Sequence, residues 1–271
     1  MQVLVTEDPA VAKAWAVPLI EEDPCGAAVA ASLCTDAIRR GEPGWFAVAM
    51  QRDTPVLLAA QAPTSGVVVL TSGRPAAIHA VADVLVAAQP QLVGVHADAQ
   101  VAAQVAGRYA AGTNRGAVPV RAQRRYSLLE VIAPLDNGGY SRLAEPSERA
   151  ELHRVARSAN PLPEAIALDD AALDGLLVAE RVFVHEFEGT LRAAAVALAA
   201  EESAVPVVVL ADDAARLSGA VGCVVAACSA VVLAQGLTPM VTAELSTPGA
   251  DTVLQRLGFS VDAESLTYRF V

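Results

Sequence analysis

The sequence predicts an α/β protein built as two units in tandem. Three observations carry that prediction. Segments with helical spacing of apolar residues alternate with short apolar runs of strand type along the whole chain. Hydrophobic residues make up 54% of the 271 and charged residues 18%, which supplies a sizeable core and excludes global disorder. A polar stretch of turn-forming residues, APLDNGGYSRLAEPSE from Ala133 to Glu148, interrupts the pattern near the middle. A chain of this length suits one large domain or two ordinary ones. The linker favours two, over residues 1–135 and 136–271.

In the first unit, MQVLVTEDPAVAKAW lacks a basic segment followed by an apolar one, so it is not read as a signal peptide. EDPCGAAVAASLCTDAIRR, from Glu22 to Arg40, has an Asp-Pro start and helical spacing, and Gly41, Pro43 and Gly44 stop it. WFAVAM and PVLLAAQAP read as paired strands around a turn at Gln51 to Thr54. Val67–Leu70 is a short strand, and Pro75 opens the helix PAAIHAVADVLVAAQ. LVGVHA is strand-like, and DAQVAAQVAGRYAAG is a helix with Asp98 as its expected N-cap. RAQRRYSLLEVIA reads as a long strand.

The second unit begins with helices at ERAELHRVARSAN and DDAALDGLLVAE. ERVFVHEFEGTLRAAAVALAA is a hairpin turning at Glu188-Gly189, and VPVVVLADD is a buried strand. A long apolar helix, the strand PMVTAEL, the short helix ADTVLQRLGF and the closing strand LTYRFV follow. Aromatics are only 4%, so Ala, Val and Leu must build the core.

Several function classes drop out. The net charge is −11, so no broad basic field attracts nucleic acid. The basic run Arg121, Arg124, Arg125 is short; it reads as a solvated strand or linker face, with a local anion site as the other reading. Cys25, Cys34, Cys223 and Cys228 form no C-x-x-C, and His79, His96, His153 and His185 are scattered, so no metal is expected. The apolar run from Gly219 to Ala234 falls short of the ~20 residues that span a bilayer. It reads as a buried helix of a soluble, cytoplasmic protein with no membrane partner.

The stretch DDAARLSGAVGCVVAACSAVV, from Asp212 to Val232, is the functional candidate. It is either a helix start capped by Asp212 and Asp213, or a turn whose free amides and helix dipole hold a phosphate. Ser218, Gly219, Ala220 and Gly222 are small enough for the backbone itself to touch an anion. A dinucleotide site needs G-x-G-x-x-G, and only Gly219-x-x-Gly222 is present.

The order of elements in the second unit resembles the GCN5-related N-acetyltransferase (GNAT) family. The strand VVVL followed by Arg216, Leu217, Ser218, Gly219, Ala220, Val221 looks like the family's acetyl-CoA motif. Leu257, Gly258 and Phe259 are similar to its closing signature. The first unit resembles the degenerate N-terminal half of two-part GNAT proteins. The resemblance implies two GNAT-like domains, each a mixed, mostly antiparallel twisted sheet flanked by helices. It implies acetyl-CoA as cosubstrate, with no metal. Arg216, Leu217, Ser218, Gly219, Ala220, Val221 and Gly222 would hold its pyrophosphate, and the backbone of Val208, Val209 and Leu210 its pantetheine. Direct transfer to a small-molecule or protein amine would follow, with Glu244 or Glu186 as base; both are also ordinary candidates for surface carboxylates. Val221 departs from the family's Gly or Ala, and Leu254 stands where active members carry a Tyr acid. A catalytically impaired module that binds a ligand or regulates is the alternative, and a scaffold a third reading. The first unit is assigned a structural or acceptor-shaping role, and a homo-oligomer is compatible with each reading.

Overall fold

The structure, a computed structural model, describes residues 1–61, 66–135, 138–159, 170–198, 203–211, 215 and 219–271. The first half begins with β1 (Gln2–Thr6), α1 (Pro9–Glu22) and α2 (Pro24–Arg40). β1 and α1 occupy the N-terminal stretch to which the sequence assigns no element. The Asp8 carboxylate caps α1, accepting from the Ala10 and Val11 amides at 2.8 and 3.3 Å. Asp23 caps α2 through Gly26 at 2.9 Å. Next come β2 (Trp45–Gln51), β3 (Thr54–Gln61), β4 (Val67–Leu70), α3 (Pro75–Ala88), β5 (Gly94–Asp98), α4 (Ala99–Thr113) and β6 (Ala117–Ser127).

The second half runs β7 (Tyr140–Leu143), α5 (Arg149–Ser158), α6 (Asp170–Val178), β8 (Val182–Phe187), β9 (Thr190–Ala197) and β10 (Ala204–Leu210). It closes with α7 (Ala220–Ala234), β11 (Thr238–Glu244), α8 (Ala250–Arg256) and β12 (Ser260–Phe270). β7 lies inside the stretch read as linker, where it forms an edge strand on β8. Glu188 and Gly189 take positive φ (51° and 71°), as a tight hairpin turn requires.

Among the described residues one sheet of twelve strands runs β1-β2-β3-β4-β5-β12-β6-β11-β10-β9-β8-β7. Pairing is antiparallel except for β4 with β5 and β10 with β11. Helices cover both faces. In the first half α3 and α4 pack on one face, with Leu57, Val68 and Leu70, while α1 and α2 pack on the other, with Phe46, Leu58 and Val69. In the second half Val205 and Val207 meet α7, and Val208 and Leu210 meet α5 and α6. Each fully buried Val or Leu contributes roughly 1.5–3 kcal/mol.

The halves exchange their last strands. β12 lies between β5 and β6, pairing Tyr268 with Val95 and Ser265 with Gln123. It brings Phe270 into the first core, where the ring centroid is 4.2 Å from that of Tyr109. In return, β6 sends Tyr126, and Leu128 just past its end, into the second core. At Gly94 a Cβ would come within 2.4 Å of the Tyr268 carbonyl, so glycine is what lets β12 dock.

Candidate functional site

β10 changes partner halfway. Ala204–Pro206 pair with β11, while Val207–Leu210 pair only with β9 among the described residues. Beyond Pro206 the edge of β10 that faces β11 therefore leaves its ladder. Pro206 lacks an N–H, so it cannot extend the pairing at the point of parting. The strands open like a V toward their carboxyl ends.

α7 starts at that open end. Its N-cap is Gly219, with φ +81° and no side-chain cap hydrogen bond. The first-turn amides of Ala220, Val221 and Gly222 thus precede any backbone partner in the helix. Ala220 is buried and Val221 packs on the core below. Val208 and Leu210 point to α5 and α6, and Val209 to the α7 side. The structure brings Val208, Val209, Leu210 and Gly219 to Gly222 to one end of the sheet. Arg216, Leu217 and Ser218, like Asp212 and Asp213, lie outside the described residues.

Glu244 ends β11, on one side of the V. Arg121 Nε holds it at 3.0 Å, and its side chain is 36% exposed. Glu186 lies one residue before the end of β8, on the other side, with β9 between it and β10. Arg142 holds Glu186 at 2.8 Å, and hydrogen bonds from Tyr140 and Arg142 keep its carboxyl below the usual range. The two carboxylates are not paired with each other; each has its own arginine.

The basic run on β6 is neither a solvated face nor an anion site. Its alternating side chains meet carboxylates on both faces of the sheet. Arg124 binds Asp251 at 2.5 Å and Glu264 at 2.6 Å. Arg125 binds Asp262 at 2.7 Å and Asp98 at 3.2 Å. Asp98 makes no cap hydrogen bond to α4; it accepts instead from the Ser72 hydroxyl at 2.6 Å. Tyr126 was not singled out in the sequence. Its ring is fully buried and its hydroxyl donates to Asp251 on α8. Burial and the adjacent Asp251 push this phenol up to about 12. Leu254, one turn on from Asp251, is buried in the core and has no acidic proton to donate. The strand pattern of RRYS was the one available signal for Tyr126; its partner lies 125 residues away.

A cavity of about 650 Å³ lies in the first half, between the α1–α2 junction, the β2–β3 turn and the residues Thr71 to Arg74. Among the described residues no group of three or more His, Cys, Asp or Glu side chains is placed to hold a metal ion. No described helix is long and apolar enough to cross a membrane.

No family model matches the sequence, and no curated protein does. Solved structures align with nearly the whole chain. A GCN5-related N-acetyltransferase from Sphaerobacter thermophilus matches with a TM-score of 0.66 at 15% identity, over 98% of this chain and 95% of that one. A GNAT-family acetyltransferase from Colwellia psychrerythraea gives 0.60 at 12%, over 100% and 99%. A tandem GNAT protein from the clavulanic acid biosynthesis pathway gives 0.56 at 9%, over 100% and 98%. The chain therefore has the tandem GNAT fold, two mixed, mostly antiparallel units side by side.

Proposed function

We propose that the chain is an acyl-CoA-dependent N-acetyltransferase that acts on an amine by direct transfer. The observation that carries this reading is the parting of β10 from β11, among the described residues, beside a helix whose N-cap, Gly219, has no side chain to cap it. Acetyl-CoA, the cosubstrate, would supply an acetyl group activated as a thioester: the amine nitrogen bonds the carbonyl carbon, the C–S bond breaks, and coenzyme A leaves as its thiolate. The unpaired edge of Val207–Leu210 suits the amides of its pantetheine arm. The amides of Gly219 to Gly222, with Arg216, Leu217 and Ser218, suit its pyrophosphate. Glu244, oriented by Arg121, takes the proton from the amine, directly or through water. Glu186, held low by its two donors, is the weaker base. The units are residues 1–135 and 136–271, exchanging β6 and β12. The acceptor is a small-molecule or protein amine; no metal, nucleic acid or membrane takes part. The protein is cytoplasmic, and a homo-oligomer fits this reading.

A second reading is favoured by Leu254 and Tyr126. The family's acid position holds a buried leucine, and the nearby phenol is committed to Asp251. A module that binds coenzyme A and regulates, without turnover, would look this way.

Calorimetric titration with acetyl-CoA tests both. Gly219→Ala adds strain at a positive φ without adding charge, and Gly219→Glu adds that strain and a negative charge. Micromolar binding that survives Gly219→Ala and is lost in Gly219→Glu is expected. No binding by the native protein would reject both readings. Thiol release with an amine panel then separates enzyme from module.

A further inference from the structure

The sheet face that carries α1, α2, α5 and α6 is polar where β5, β12, β6 and β11 adjoin. His96 and Asp98 on β5 pair with Thr267 and Ser265 on β12. These pair in turn with Arg121 and Gln123 on β6, and Gln123 pairs with Glu244 on β11. Directly paired residues share a face. The side chains therefore form one strip across both halves, while Arg124 and Tyr126 point the other way, to Asp251.

The strip has a floor and a rim. Gln123 is 2% exposed, and Ser265 and Thr267 are 5% and 6% exposed. The rim carboxylates Asp98, Asp262 and Glu244 keep 24%, 31% and 36% of their side-chain exposure. Two guanidiniums, Arg121 and Arg125, face these three carboxylates, which leaves one negative charge over. Burial lowers His96 to about 4, so its ring is neutral and adds no charge. It contacts the Thr267 hydroxyl at 2.9 Å. At the floor, Gln123 Oε1 is buried and has no hydrogen-bond partner among the described residues. A buried amide oxygen left without a donor weakens a fold, and an apolar side chain of the same shape would serve packing better.

We propose that this strip recognises the amine-bearing end of a small ligand, a primary ammonium group that donates to Gln123 Oε1 under the negative rim. An amide oxygen can be satisfied only by a donor. A cationic donor also matches the surplus charge. β11 is both a wall of the V and the neighbour of β6, so an amine held here lies one strand from the acyl site. The first-half cavity shares Ser72 with the strip, through the hydrogen bond to Asp98, and has room for the rest of a small ligand. That the bound amine is the acetyl acceptor rests on the transferase reading; that the strip binds an ammonium does not.

The test is calorimetric titration of the full chain with butylammonium and with 1,4-diaminobutane, using 1-butanol as the uncharged control. Saturable binding of the amines and none of butanol is expected. Gln123→Met weakens amine binding about tenfold or more, and without ligand raises the thermal midpoint by about 2–4 °C. Gln123→Glu keeps an acceptor oxygen and keeps amine binding. Failure of both amines to bind the native protein, or binding untouched by Gln123→Met, overturns the proposal. A lowered midpoint in Gln123→Met with unchanged amine affinity also overturns it, and makes the amide a packing group. Acetyl-CoA titration of the same proteins keeps the readings apart. Amine binding without acetyl-CoA binding rejects the transferase and leaves the strip standing; acetyl-CoA binding without amine binding does the reverse.

Discussion

Val67–Leu70 and Val207–Leu210 spell the same four residues, yet they face opposite ways. In β4, Val68 and Leu70 point to α3 and α4, and Val69 to α1 and α2. In β10, Leu210 points to α5 and α6, the counterparts of α1 and α2, while Val207 and Val209 face α7. A slip of one residue against the sheet turns every side chain over. The flanks differ as well. β10 carries Pro206 at its parting point, and β4 has no such proline. After β4, the Thr71 amide donates to the Leu58 carbonyl at 2.9 Å, and the Thr71 hydroxyl accepts from the Leu58 amide at 3.0 Å. Ser72 then ties to Asp98 at the end of β5. α3 opens on Pro75, which has no amide to offer an anion, whereas α7 opens on Ala220, Val221 and Gly222. The first half thus closes its mouth with bonds that have no counterpart among the described residues of the second. A shared string identifies neither a shared register nor a shared site.

Three experiments would break or sharpen that comparison. The largest effect belongs to the element that the halves hold in common. A chain stopped before Ser260 should show no cooperative unfolding transition by circular dichroism, in either half, because β5 and β6 both lose β12. A surviving first-half transition would mean that this half folds by itself.

Next in size are the two leucines. Leu70→Ala and Leu210→Ala should each cost about 2–5 kcal/mol in denaturant unfolding. Double-mutant cycles then read the faces. Leu210→Ala should couple to Leu176→Ala on α6 by about 0.5–3 kcal/mol and be additive with Val224→Ala on α7. Coupling to Val224 instead would show that the two strings are equivalent after all.

The smallest effect is the pH dependence of two histidines with opposite signs. His153 links α5 to α6 through a hydrogen bond to Asp174 at 2.9 Å and an ion-pair contact with Asp170 at 2.7 Å, and the two carboxylates raise its pKa. Its stabilisation is complete below its unfolded value of 6.5 and fades as pH rises through the folded value. His96 is the reverse: burial lowers it from 6.5 to about 4. Its unfolded form takes up a proton first, so stability falls between pH 6.5 and about 4, by on the order of 3 kcal/mol. Thermal midpoints of His153→Gln and His96→Gln against pH should flatten the alkaline and acid limbs respectively. A shared limb would refute the assignment.

What the sequence made legible was local. The β8–β9 hairpin follows from alternation and a turn pair, and α2 from Asp23-Pro24 and its spacing. α1 was hidden because Pro18 sits inside it, where proline usually ends a helix. β7 was hidden among glycines and prolines, because an edge strand needs few ladder bonds. The arginines of β6 read as solvent-facing because their partners lie far off in sequence; Asp262 and Glu264 come near only when β12 crosses over, and Asp251 only when α8 packs beside β6. Of the candidate site, the turn at Gly219 and the strand before it could be read from small residues and order. The orphaned amide of Gln123 could not, since nothing local marks a missing partner.

The exchange of β6 and β12 also sets a timetable. β12 is made after the other eleven strands, yet its place is at the centre of the sheet. Until it emerges, β5 and β6 are bare edges, open to pairing with any neighbouring strand. Such long-range closure makes for slow folding. During that interval the surplus of acidic residues, −11 over the chain, keeps growing chains apart by mutual repulsion.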